Sequence, residues 1–139
     1  MTRVFVDTSA LITFLDEDDP RHAAVLATFA ALADDELVTH GYVVAEALAV
    51  TRRRLGLAAT IALLDEVLPA IELVPVDGAL HAEALQRYRA ALPTATSFVD
   101  YVSVTLMKRD GITTALVLDS DFATAGVQTL PNAGSGAVA

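Results

Sequence analysis

The chain has 139 residues, 54% of them hydrophobic, a formal net charge of −9 and no cysteine. That length suits one domain around one core. The composition argues against disorder, and the missing cysteine excludes disulfides, Cys-based zinc sites and a cysteine nucleophile. Mean hydropathy is high, at +0.51, which suggests that part of the apolar material is buried in a subunit or partner interface.

The elements alternate between strand and helix along the chain. Arg3 to Val6 is a short apolar strand that ends at Asp7, and Thr8 to Leu15 reads as helix. Asp19-Pro20 marks a helix start, with an acid as N-cap and proline in the first turn, and that helix is predicted to reach Ala33. Glu36 to Thr39 is a short strand, Gly41 to Arg54 a helix stopped near Gly56, and Leu57 to Leu68 another stopped by Pro69. Ile71 to Val74 is a strand, and Asp77 to Ala91 a helix ended by Pro93. Ser97 opens a helix that runs to about Arg109, before Gly111. Ala115 to Leu118 is a strand leading into Asp119, and Val127 to Leu130 a last strand before Pro131. Residues 132–139 form a loose tail, so the domain is expected to occupy 1–131. Such alternation predicts a mostly parallel sheet of four or five strands covered by helices.

No run of about 20 apolar residues is present, as a membrane span requires. Asp7 interrupts the first apolar run too early for a signal peptide, so a cytoplasmic location is the expectation.

Acidic residues carry the chemical signal. In open sheets of this kind, ligands bind beyond the carboxyl ends of the strands. Asp7 and Asp119 each follow a strand, and they overlook one crevice if those strands are neighbours. Asp7 also suits an N-cap. Asp100 stands three residues after Ser97 in a pattern that resembles a capping box. Asp119 and Asp121 also fit turn and cap positions. Glu46 is the hardest to explain as structure, because it lies mid-helix in Val43-Val44-Ala45-Glu46-Ala47-Leu48 with Tyr42 and Val50 four residues away on either side. An unpaired carboxylate buried there would cost several kcal/mol. Carboxylates that share a crevice repel one another, and a divalent ion removes that penalty.

Other chemistries find little support. His22, His40 and His81 show no ligand or triad spacing and read as surface or helix-face residues, and the seven glycines form no phosphate-binding loop. The net charge of −9 speaks against a polyanionic partner. Yet the bases are clustered, at Arg52-Arg53-Arg54, Arg87 with Arg89, and Lys108-Arg109. They suit either solvated helix C-termini or contacts to phosphate.

Four segments in order resemble the motifs of PIN-domain ribonucleases: Val6-Asp7-Thr8-Ser9, Val44-Ala45-Glu46-Ala47-Leu48, Ser97-Phe98-Val99-Asp100 and Leu118-Asp119-Ser120-Asp121-Phe122. A compact chain of this kind is most similar to the VapC-type toxins of type II toxin–antitoxin pairs. The resemblance implies a three-layer α/β/α sandwich and metal-dependent endonucleolytic cleavage of RNA with Mg²⁺ or Mn²⁺. It implies that Asp7, Glu46, Asp100 and Asp119 hold metal, with Asp121 as an outer ligand or a substitute for Asp119. Ser9 and Ser97 would orient carboxylates or water, and Arg52, Arg53, Arg54, Lys108 and Arg109 would meet RNA. Arg53 lies seven residues after Glu46, two turns along the same face, where it is expected either to approach an RNA phosphate or to serve surface solubility. A homodimer and a protein antitoxin are the implied partners.

Two rival readings remain. One is a phosphatase-like enzyme with Asp7 as nucleophile, although Ser9 stands where that chemistry wants a second Asp. The other is a binding module whose acidic crevice holds a metal or a basic partner.

Overall fold

The computed structural model describes residues 2–118 and 127–131. Five parallel strands form one sheet in the order β3-β2-β1-β4-β5, namely β1 (Arg3–Val6), β2 (Glu36–His40), β3 (Glu72–Val74), β4 (Thr114–Leu116) and β5 (Gln128–Leu130). Six helices connect the strands: α1 (Thr8–Leu15), α2 (His22–Ala31), α3 (Gly41–Arg54), α4 (Leu57–Ala62), α5 (Gly78–Ala91) and α6 (Phe98–Asp110). This is the expected α/β/α sandwich. Its central strand is β1, whose Val4, Phe5 and Val6 are fully buried. Burial on both faces is why this strand reads as an unbroken apolar run rather than an alternating one. Leu11 of α1, Ala47 of α3, Leu106 and Met107 of α6 and Leu116 of β4 complete the core.

Strand register places the site. Phe5 pairs with Val38 on one side and Ala115 on the other. All strands run the same way, so the carboxyl ends of β1, β2 and β4 share one edge. The order reverses at β1, since β2 lies to one side of it and β4 to the other. That is the crevice position for ligands in a doubly wound sheet, and Asp7 sits on it.

Boundaries differ from expectation at several places. α2 begins at His22 instead of near Asp19. The Asp19 carboxylate accepts the Arg21 N–H at 2.7 Å and two further bonds from the Arg21 guanidinium. It closes a turn ahead of the helix and does not cap it. α4 does not run straight to Leu68: Leu63–Val67 forms a wider π turn and Leu68–Ala70 a tight 3₁₀ turn. Pro69 has no N–H to give the carbonyl four residues back, and its ring crowds that carbonyl. The widened turn still buries Leu63 and Val67. β4 stops at Leu116, two residues short of the expected end.

Gly56 separates α3 from α4 with φ 95° and ψ −170°, a region open essentially to glycine alone. No atom lies within 4 Å of where a Cβ would stand, so the cost of a side chain here is conformational. Gly56→Ala is therefore expected to lower stability by about 1–3 kcal/mol, read as a fall in the urea midpoint with an unchanged slope.

Candidate active site

A polar cleft of about 690 Å³ opens at the carboxyl edge of β1. Asp7, Glu46 and Asp100 all line it, together with Ser9 and Ser97. These residues arrive from three elements and span 93 positions of sequence.

Asp7 is almost wholly buried. Its N–H donates to the Leu116 carbonyl of β4 at 3.0 Å. Its Oδ2 caps α1, accepting the Ser9 N–H at 3.2 Å and the Ser9 hydroxyl at 2.9 Å. Ser9 Oγ in turn accepts the Leu118 N–H at 3.0 Å. One hydroxyl thus joins the first acid to the segment that carries Asp119. Capping and site-lining are the same geometry here, because a helix N-terminus favours a negative charge.

Glu46 lies in the middle of α3, half-buried at the cleft. Val50 and Arg54, one and two turns further on, line the same cleft. This row drifts around the helix by about 40° per step, since a residue advances about 100°. Arg53, seven residues on, falls on the other side of Glu46 from that row. It is exposed and does not line the cleft. Arg54 takes the place expected of Arg53.

Asp100 stands in the first turn of α6, where Ser97 Oγ accepts the Asp100 N–H at 3.2 Å. Ser97 thereby fixes the backbone that carries the acid. Asp119 and Asp121, expected to complete the set, lie outside the described residues.

The remaining expected bases stay away from the cleft. Arg52 is exposed in the last turn of α3. Lys108 and Arg109 end α6, at the opposite end from Asp100, and Arg109 pairs with Asp77 at 3.2 Å and Asp110 at 3.1 Å. All sit at helix C-termini, as the dipole favours.

Three charged residues of the lining escaped the sequence reading, namely Asp16, Asp19 and Arg21. Asp19 is held down at about 2, first by the hydrogen bond from the Arg21 side chain and then by the Arg21 N–H. The Asp16-Glu17-Asp18-Asp19 run after α1 was the available signal. A loop that follows the first helix returns to the same edge of the sheet.

Among the described residues, the lining is formally five carboxylates against two guanidiniums. A phosphodiester entering this cleft meets net repulsion unless cations accompany it. Among the described residues the lining offers carboxylate and hydroxyl oxygens and no imidazole, which fits a hard ion such as Mg²⁺ or Mn²⁺. Among the described residues, no three acids or imidazoles close on a common point as a ready ligand set.

His40, which the sequence suggested was a surface or helix-face residue, is the last residue of β2 and is fully buried. Its Nδ1 caps α3 by accepting the Tyr42 and Val43 N–H groups at 3.1 and 3.3 Å. The proton therefore sits on Nε2, 2.9 Å from Ser103 Oγ. Burial lowers its pKa from 6.5 to about 4.

A PIN-domain family profile matches residues 4–127. With most of the chain covered, this protein belongs to the PIN-domain family. Comparison with curated protein sequences gives no match. Among solved structures, the chain resembles VapC20 of Mycobacterium tuberculosis, described as a sarcin-ricin loop cleaving toxin. The two are 27% identical over 89% of this chain and 95% of that one, with a TM-score of 0.81. It shares its fold with VapBC2 of Rickettsia felis bound to promoter DNA, at 11% identity over 87% and 91% of the two chains and a TM-score of 0.67. It shares it too with DNA-bound VapBC of Salmonella typhimurium, at 14% identity over 93% and 97% and a TM-score of 0.66.

Two outcomes follow. A group whose folded pKa lies below its unfolded value contributes stability that is present above the unfolded pKa and lost as pH falls. For His40 the loss starts near 6.5 and continues toward 4. Between pH 7.5 and 5.5 the wild type should lose about 1 kcal/mol more than His40→Asn, which retains a capping oxygen and does not titrate. Urea midpoints of both proteins at the two pH values test this. Separately, Arg54→Ala should weaken binding of a single-stranded RNA and reduce its salt slope by about 0.7, measured with Ca²⁺ in place of Mg²⁺. Arg53→Ala should bind like the wild type.

Proposed function

We propose that this protein is a metal-dependent endoribonuclease, the toxin of a type II toxin–antitoxin pair. One observation carries the reading: in a PIN-family chain, Asp7, Glu46 and Asp100 line a single oxygen-rich cleft at the point where the strand order reverses. The likeness to a toxin described as cleaving the sarcin-ricin loop supports RNA as substrate and a toxin role. A protein antitoxin and a homodimer belong to the same reading.

Asp7, Glu46 and Asp100 would hold Mg²⁺ or Mn²⁺, with Asp119 and Asp121 as further candidates. A bound divalent ion supplies charge neutralisation and a water acidified enough to attack phosphorus. The chain's own groups do the rest. Ser9 keeps Asp7 oriented by donating to Oδ2. Ser97 holds the Asp100 backbone. Arg54 offers a cation at the cleft wall for a phosphate of the RNA. Water as the nucleophile agrees with a lining that, among the described residues, contains no histidine, in a chain without cysteine. The phosphatase-like alternative gains nothing from the geometry, since Ser9 occupies Asp7 Oδ2 and supplies a hydroxyl where a second carboxylate is needed.

Purified protein with Mn²⁺ should cut structured RNA, and EDTA should abolish the cutting. Asp7→Asn and Glu46→Gln should each lower kcat by at least about a hundredfold while the protein stays folded. Cleavage by either variant at the wild-type rate, or cleavage undiminished in EDTA, would refute the reading.

A further inference from the structure

We propose that Thr39 and His40, the last two residues of β2, form a positioning hub that fixes Asp7, Glu46 and Asp100 relative to one another. The inference rests on the proposed role of these acids, and neither hub residue lines the cleft.

Three buried links leave this dipeptide, and each reaches a different acid-bearing segment. Thr39 Oγ1 donates to the Val6 carbonyl at 2.9 Å, one residue before Asp7. His40 Nδ1 caps α3 through the Tyr42 and Val43 N–H groups, and so sets the origin of the helix that carries Glu46. His40 Nε2–H points to Ser103 Oγ at 2.9 Å, and that hydroxyl donates to the Val99 carbonyl at 3.0 Å, one residue before Asp100. Thr39, His40 and Ser103 are 1%, 0% and 0% exposed, so water does not compete for these bonds. The Phe5 ring packs against the imidazole, with centroids 5.6 Å apart, and keeps it from rotating.

The residue types match the task. Imidazole has two hydrogen-bonding atoms on opposite sides of a rigid ring, so one side chain can cap α3 and reach α6. Serine or asparagine could cap α3 equally well, but neither is long enough to bridge to Ser103. The acids they serve repel one another, and small displacements of such groups are costly to chemistry.

The test uses Thr39→Val, which keeps the shape and removes the donor, with Ser103→Ala, which removes the bridge to α6. Thr39→Ser serves as the rescue. Carboxyl carbons of Asp7, Glu46 and Asp100 are titrated by NMR in metal-free protein, with Glu83 on α5 as a remote control, below the melting temperature of each variant. Mn²⁺ affinity is measured alongside. Thr39→Val should displace the Asp7 titration most, and Ser103→Ala the Asp100 titration most. Each should weaken Mn²⁺ about tenfold or more, and Thr39→Ser should restore the wild-type curve. Folded variants whose three curves superimpose on the wild type overturn the proposal. So does a shift shared equally by Glu83, which would report general loosening. If the wild type neither binds Mn²⁺ nor cuts RNA, the proposed function falls, while the carboxyl titrations still decide the hub.

Discussion

Carboxylates gathered at one edge of a sheet repel each other, and the neighbourhood of the cleft is organised to withstand that repulsion. Asp7 is nearly buried, where an anion is costly. It is held by the N-terminus of α1, two bonds from Ser9 and a backbone link to Leu116. Asp100 sits in the first turn of α6, where the helix end again favours negative charge. Glu46 stands in the middle of its helix and not at an end. It takes its position from the length of α3, and α3 takes its starting point from His40.

The parallel sheet makes this convergence possible. With β2 and β4 on either side of β1, three connections open at the same edge. Side chains distant in sequence meet there without a long loop. The cap residues of α1, α3 and α6 are Asp7, His40 and Ser97, so helix initiation and site construction use the same positions. This is why Asp7 and Asp100 could be read from sequence either as caps or as site acids. In the structure each takes part in helix initiation and lines the cleft.

Sequence periodicity revealed most of the frame, because strands buried on both faces and helices ended by Gly56, Pro93 and Gly111 leave strong local marks. α1 and α3 fall where the pattern puts them. The misses have a common cause. The Asp19–Arg21 turn, the burial of His40 and the widened turn before Pro69 all depend on partners or crowding beyond the local pattern. A histidine between a polar strand end and a glycine looks like a surface residue until Ser103, 63 positions away, is placed beside it. Family motifs pointed to Asp7, Glu46 and Asp100, which line one cleft, for a different reason. They encode convergence that periodicity alone does not.

The acidity of the chain is less of a contradiction to a polyanionic substrate than the net charge suggests. What matters for a phosphate is the field inside the cleft. There, five carboxylates face Arg21 and Arg54. Arg21 is already engaged by the Asp19 carboxylate through two bonds, which mutes its attraction for a second anion. Arg54 sits in the last turn of α3, where the negative end of the helix dipole stabilises the cation. The same turn brings it to the cleft wall, two turns beyond Glu46. The helix-end reading and the phosphate reading of this arginine are therefore compatible. Among the described residues, Arg54 is the base on α3 whose position satisfies both, and under the proposed function the rest of the attraction for a phosphate would fall to divalent cations. On that reading, RNA affinity and catalysis would share one requirement, because the charge that lets a phosphate enter the field of five carboxylates would be the charge that activates water.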